Sequence, residues 1–182
     1  MSRNIPKSEW GPGPWQDEPD RAEWRHAGLP CLAVRVMHHG SWCGYVAVPP
    51  GHPAYGKPYD DVEVEVHGGL TYAAACRGEI CHKAAPGEPD NVWWFGFDTG
   101  HAGDYSPSVS ALVRTLPGAA AKGWGERYDH ARALAADDWR VDVYRTLDYV
   151  REQTERLADQ LVAMTLSEVK PDPEQKPVLD KA

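Results

Sequence analysis

Trp93-Trp94-Phe95-Gly96-Phe97-Asp98-Thr99-Gly100-His101-Ala102-Gly103-Asp104 sets the densest apolar segment of the chain directly before its most concentrated polar chemistry. The aromatic run reads as a strand. Alternation then places Trp93, Phe95 and Phe97 on one face and Trp94, Gly96 and Asp98 on the other. The first face is expected to be core. On the second, Gly96 takes away bulk between Trp94 and Asp98, which predicts a notch floored by backbone and walled by an indole. Gly100 and Gly103 break the strand, and a turn at that point can converge Asp98, His101 and Asp104.

Working upstream, Cys31–Met37 and Trp42–Val48 are β-rich runs separated by His38-His39-Gly40-Ser41. The spacing predicts an antiparallel hairpin with His38 and His39 exposed in its turn. Val62-Glu63-Val64-Glu65-Val66 alternates cleanly and predicts a further strand with its valines inward and His67 on the glutamate side. Gly68-Gly69 makes a turn or bulge, after which Leu70-Thr71-Tyr72-Ala73-Ala74 resumes a strand. Between these runs, residues 49–61 hold four prolines and two glycines, a stiff loop able to present His52, Tyr55, Lys57 and Tyr59, or to serve as a rigid crossover.

Downstream, residues 99 to 125 are rich in Gly, Ser and Pro, a rim or surface loop with one short element over Val109–Leu116. From Trp139 the pattern changes. Val143, Leu147, Val150, Thr154, Leu157, Leu161 and Met164 recur at spacings of four and three, the stripe of an amphipathic helix that covers a sheet or pairs with its copy in a homodimer. Residues 168–182 are charged and proline-bearing and read as a disordered tail, while residues 1–28, with Trp10, Trp15 and Trp24, read as an arm that wraps the domain or a second subunit. The fold class expected for residues 29–167 is a single α+β domain. It has a twisted, mainly antiparallel sheet of about five strands and a long C-terminal amphipathic helix.

A chain of 182 residues suits one core, and its net charge of -8 without a basic run argues against a nucleic-acid polymer as partner. No stretch approaches the roughly 20 apolar residues of a membrane span, and the start lacks a signal-peptide pattern, so the expected location is cytoplasmic. In that compartment Cys31, Cys43, Cys76 and Cys81 are expected as free thiols or metal ligands rather than disulfides. Cys31 and Cys43 fit small core residues. Cys76, Cys81 and His82 could begin a zinc set completed by His67 or His101, although a thiol-containing strand pair is the simpler reading.

Three chemistries fit the polar end of the opening stretch. His67, Asp98, His101 and Asp104 make a ligand set for a divalent metal, with Zn, Mn and Mg all compatible. His101 could instead be a catalytic general base oriented by Asp98. In the third, a small-molecule ligand is bound without turnover. Asp98 and Asp104 then accept ribose hydroxyls, His101 and Thr99 donate to phosphate oxygens and Trp94 stacks on a base. His67, Thr71 and Tyr72 complete the cleft from the neighbouring strand end. Turn residues that merely satisfy local amides would use the same side chains. The familiar phosphate-loop, dinucleotide, zinc-protease and nucleophile-elbow motifs are all missing.

Several phrases are specific: Gly13-Pro14-Trp15 with Glu18-Pro19-Asp20, Cys43 to Pro49 with Gly51-His52-Pro53 and Tyr55-Gly56-Lys57, Val66-His67-Gly68-Gly69-Leu70-Thr71-Tyr72, Gly87-Glu88-Pro89-Asp90, Trp93 to Asp98, Tyr144-Arg145-x-Leu147-x-Tyr149-Val150, and Leu157-Ala158-x-Gln160-Leu161. Over about residues 13–162 these phrases resemble a family of small hypothetical proteins encoded by bacteriophages and prophages. The resemblance implies a phage accessory protein in the host bacterial cytosol and carries no activity. Its leading expectation is a small polar ligand, with sequestration of a nucleotide-derived bacterial defence signal as one form. A metal-dependent hydrolase of a phosphate ester or nucleotide and a structural or interaction protein are the alternatives.

Overall fold

The computed structural model describes residues 5–117 and 142–168. Its centre is an antiparallel sheet of five strands: β1 (Arg21–His26), β2 (Leu29–Val36), β3 (Ser41–Val48), β4 (Tyr72–Ala75) and β5 (Trp93–Asp98), in the order β1-β2-β3-β5-β4. Two helices follow, α1 (Pro107–Arg114) and α2 (Leu147–Glu168). The α+β architecture expected from the pattern is the one observed. Among the described residues no helix is long and apolar enough to cross a membrane. The Trp139 start of the helical pattern and, beyond Glu168, the charged tail lie outside the described residues.

The β2–β3 hairpin forms where the sequence places it. Gly40 takes φ +81° in its turn, and its N–H and that of His39 both donate to the Val36 carbonyl (2.7 and 2.9 Å). Strand β5 then pairs with β3 so that Phe95 lies opposite Val46 and Phe97 opposite Gly44. On that face the helix stripe closes the core: Val150, Thr154, Leu157 and Leu161 are fully buried with Phe95 and Phe97. Gly44 allows the close approach, because a Cβ there would stand 2.4 Å from Thr154 Oγ1 and 2.6 Å from the Phe97 ring. The stripe that the sequence offered to a sheet or to a second copy therefore lies against the chain's own sheet.

Several local expectations are corrected. Val62 is extended and buried, but Val62–Val66 joins no ladder. Instead the Glu65 N–H donates to Gln160 Oε1 (2.7 Å) and Gln160 Nε2 donates back to the Glu65 carbonyl (3.0 Å). A side-chain amide of α2 thus satisfies the backbone as a neighbouring strand would. Within the arm, residues 21–26 form the edge strand β1, whose alternating Arg21, Glu23 and Arg25 guard its open side against further pairing. His52 is not presented to a ligand: it is buried, its Nε2–H donates to the Leu161 carbonyl (2.9 Å), and its Nδ1 accepts the Ala54 N–H (3.0 Å).

Cys76 and Cys81 are joined in a disulfide, not free and not a zinc pair. Gly78 at φ +57° and mutual Arg77–Ile80 backbone bonds of 3.0 Å fold the intervening residues into a tight turn, bringing the two Cα atoms to 4.7 Å. Cys31 and Cys43 remain free, and burial pushes their thiols up to about 12 and about 11, so neither offers a thiolate.

Candidate metal centre

The polar residues gather at one end of the sheet, where β5 runs out and the turn at Gly68 approaches from the side. Gly68 has φ +66°, and a Cβ on it would lie 2.1 Å from His101 Cε1. Glycine is required there twice over, for the backbone conformation and for the seat of the His101 ring. With the bulk gone, the His67 and His101 rings stand 5.4 Å apart between centroids.

Asp104 joins them. Its carboxylate is almost fully buried, with Oδ2 accepting His67 Nε2–H (2.7 Å) and the His101 backbone N–H (3.1 Å), and Oδ1 accepting Arg145 Nε–H (2.8 Å). Burial alone would raise its pKa, but the bonds from His67 and Arg145 outweigh that penalty and hold it below the usual carboxylate value. An ionised carboxylate can only accept, so His67 carries a proton on Nε2, while its Nδ1 is hydrogen-bonded to the Tyr149 hydroxyl at 3.0 Å. The Arg145 guanidinium also lies 4.9 Å from the centre of the Tyr149 ring. Tyr149 lies in the first turn of α2 and Arg145 in the segment just before it, so the start of the helix places both beside Asp104 and His67.

His101 is the open member. Its ring is about one-third exposed, and its Nδ1 makes no hydrogen bond, lying 3.7 Å from Asp104 Oδ2 and 3.9 Å from Asp98 Oδ1. One ligand atom from each of His67, His101 and Asp104 falls within 4.8 Å of the others, a set that can enclose a metal ion. Two imidazoles and one carboxylate on one side of an ion leave its remaining positions to water or substrate, the arrangement of catalytic rather than structural sites.

Five residues expected at the site do other work: Asp98, Thr71, Thr99, Trp94 and Tyr72. Asp98 is outside the three-residue cluster; its Oδ1 accepts the Gly100 N–H (2.9 Å) and its Oδ2 the Thr71 hydroxyl (3.1 Å). Thr99 is buried and extends the sheet, accepting the Trp42 N–H (3.0 Å) and donating to the Trp42 carbonyl (3.1 Å). Trp94 is fully buried with Leu32, Tyr45, Ala47 and Val92 in a second apolar cluster, so it offers no face to a base. The notch at Gly96 is filled: a Cβ there would meet the Tyr45 ring at 2.3 Å, and Tyr72 packs edge-on against Tyr45. Both faces of β5 are core, whereas simple alternation assigned only one.

Hollows also lie elsewhere. A groove of about 440 Å³ runs between Val34, Met37, Cys43, Tyr45 and the disulfide turn, and another of about 470 Å³ between Pro53, Lys57, Asp61 and Met164. Neither holds a convergent set of metal-ligating groups among the described residues, so chemistry rather than size singles out the sheet end. No family model, curated protein or solved structure matches the chain.

Proposed function

We propose that the protein is a metal-dependent hydrolase acting on a phosphate ester or nucleotide, in the setting of a phage accessory protein. One observation carries the reading: His67, His101 and Asp104 aim three ligand atoms at a common space within 4.8 Å of one another, with His101 opening it to solvent. An ion there would take the place of the proton now held between His67 and Asp104. Arg145, on the far oxygen of Asp104, and Tyr149, on the far nitrogen of His67, orient these two ligands as the outer groups of metal sites do. An ion in such a set lowers the pKa of a bound water to about 7 and polarises a phosphoryl oxygen.

The alternative, sequestration of a nucleotide-derived signal without turnover, needs an aromatic clamp, and the buried Trp94 does not supply one. Elemental analysis of the purified protein, with calorimetric titration of Zn²⁺ and Mn²⁺, tests the proposal. A bound ion that is lost in both His67→Ala and His101→Ala, together with phosphodiester or nucleotide hydrolysis lost in the same variants, is the expected result. A protein that binds neither ion, or that returns an intact co-purified ligand with no metal, would falsify it.

A further inference from the structure

The face of the sheet turned away from α2 carries the second apolar cluster, Leu32, Tyr45, Ala47, Val92 and Trp94, and no residue of either helix joins it. Its cover is a strap, the chain that leaves β4 and returns as β5. Cys76 and Ile80 of the strap pack on the cluster, and the His82 ring stands 5.7 Å from Trp94, edge-on. Strands β1 and β4 are opposite edges of the sheet, yet the strap that starts at β4 is tied to β1. Arg21 lies opposite Val34 and Arg25 opposite Pro30, so both arginines rise on this face. Arg21 Nη1–H donates to the Glu79 carbonyl and Nη2–H to the Cys81 carbonyl (2.9 Å), and Arg25 pairs with Glu88 (2.8 Å).

The Cys76–Cys81 disulfide shapes the part of the strap that Arg21 grips. It closes a ring with a sequence separation of 5, and the two carbonyls that converge on the guanidinium, those of Glu79 and Cys81, both belong to that ring. The cysteines are half-buried and Arg77, Gly78 and Glu79 between them are exposed, so the ring stands at the surface within reach of a thiol. Arg21 is exposed as well, and the grip of an exposed side chain is weak once its acceptors are no longer held together. Beneath the strap, Tyr72 Oη, His82 Nδ1 and Trp94 Nε1 are buried without a hydrogen-bond partner among the described residues. Lifting the strap returns these groups to water, which offsets part of the cost of exposing the apolar cluster. The free Cys43 thiol lies in the groove that Arg77, Glu79 and Ile80 of the ring wall off against Val34 and Tyr45.

We infer that the Cys76–Cys81 disulfide is a redox-sensitive clasp that holds the strap across this face. A thiolate of an external dithiol attacks one sulfur of the pair to give a mixed disulfide, and the other cysteine leaves as a thiolate that takes up a proton. The second sulfur of the dithiol then displaces the first cysteine, which is protonated in turn, and closes the dithiol's own disulfide. Two electrons and two protons thus pass from the dithiol, which is oxidised, to the cysteine pair, which is reduced. With the ring open, the Glu79 and Cys81 carbonyls are no longer held together for Arg21, the strap leaves β1, and the Cys43 thiol is uncovered. None of these groups belongs to the His67, His101 and Asp104 set, so the inference is independent of the metal centre.

Dithiothreitol under native conditions is the probe, with alkylation by iodoacetamide followed cysteine by cysteine in mass spectrometry. Cys31, buried in the core that α2 covers, is the internal control. Reduction is expected to speed alkylation of Cys43 by about tenfold or more while Cys31 stays protected, and reoxidation to reverse the change. Arg21→Ala should raise the Cys43 rate with the disulfide intact, and the double variant Cys76→Ser, Cys81→Ser should keep the strap open without reductant. Amide hydrogen exchange over residues 76–92 of the reduced wild type gives the same reading if the double variant does not fold. The clasp is overturned by a disulfide that yields to dithiothreitol only when the protein unfolds, by a Cys43 rate that neither reduction nor Arg21→Ala changes, or by Cys31 and Cys43 becoming reactive together.

Discussion

Two buried carboxylates organise this molecule, and they differ in what their partners leave open. Glu18, in the N-terminal arm, accepts Arg35 (2.7 Å), the Tyr144 hydroxyl (2.5 Å), Trp42 Nε1 (3.3 Å) and the Leu147 N–H (2.9 Å), so it caps α2 and ties the arm to the sheet. Asp104 likewise accepts an arginine and, through His67, engages a tyrosine of the same helix. The Arg35 side chain is 0% exposed, however, and Arg145 is 28% exposed with His101 open beside it. The Glu18 cluster is saturated, which is what a structural junction requires. The Asp104 cluster keeps an unpartnered imidazole nitrogen at its rim, which is what a reactive site requires.

The largest effect should come from breaking the closed cluster. Glu18→Ala leaves the buried Arg35 with Asp20 on its Nε (2.9 Å) and with the Gly40 carbonyl and Tyr144 hydroxyl on its Nη1, and a broken buried pair costs about 3–5 kcal/mol, here toward ~3 because these partners remain. Asp104→Asn should cost less, about 1–2 kcal/mol, since Arg145 can regain water, but it should abolish metal binding. Urea denaturation of the two variants tests the contrast; an Asp104→Asn cost equal to or above that of Glu18→Ala would erase it. Acid probes both clusters together. Each carboxyl has its pKa held below the ordinary value against the penalty of burial, Glu18 by bonds from Tyr144, Leu147 and Arg35. Their stabilisation is therefore complete above the unfolded value near pH 4 and is lost as pH falls through the lowered folded values. Glu18→Gln and Asp104→Asn should each flatten the stability profile below about pH 4 and leave its slope at neutral pH unchanged.

This contrast also shows what the sequence could and could not reveal. Strands β2, β3 and β5 and the α2 stripe were legible because alternation and helical spacing are local and each buries an apolar face. Strand β1 was not, because its alternation rests on Ala22 and Trp24 alone, set between charges. Nor could the letters show that Val62–Val66 would satisfy its backbone with Gln160 rather than a strand. At the site, His67, His101 and Asp104 were legible through the glycines beside them, whereas Trp94 was misread because both faces of β5 turned out to be covered. Glu18, Arg145 and Tyr149 carried no local signal of their role: Glu18 meets Leu147 across 129 residues.

A smaller effect should separate backbone strain from site geometry. Gly68 and Gly69 have φ +66° and +84°, so alanine at either costs about 1–2 kcal/mol for a left-handed conformation. Only at Gly68 does the added Cβ meet His101, at 2.1 Å; at Gly69 nothing lies within 4 Å. Gly68→Ala should therefore lose stability and metal binding, and Gly69→Ala stability alone. Equal metal affinity in the two variants would show that His101 takes no part in the centre.

The mildest test removes the same atom from each cluster. Tyr144→Phe deletes a buried hydroxyl that donates to Glu18 and accepts Arg35 Nη1 (2.6 Å), taking one bond from each while their own ion pair (2.7 Å) remains. A lost bond to a charged group is worth about 1.5–3 kcal/mol, and because Glu18 and Arg35 still hold each other this variant should lie near ~1.5. Tyr149→Phe deletes a half-buried hydroxyl whose partner is His67 Nδ1 (3.0 Å), a bond worth about 0.5–1.5 kcal/mol. Its stability loss should stay under ~1 kcal/mol, while metal affinity should fall by about tenfold as the His67 ring loses its outer restraint. If Tyr149→Phe were the more destabilising of the two, the Asp104 cluster would be the structural junction, and its open imidazole would be an accident of packing rather than the mark of a site.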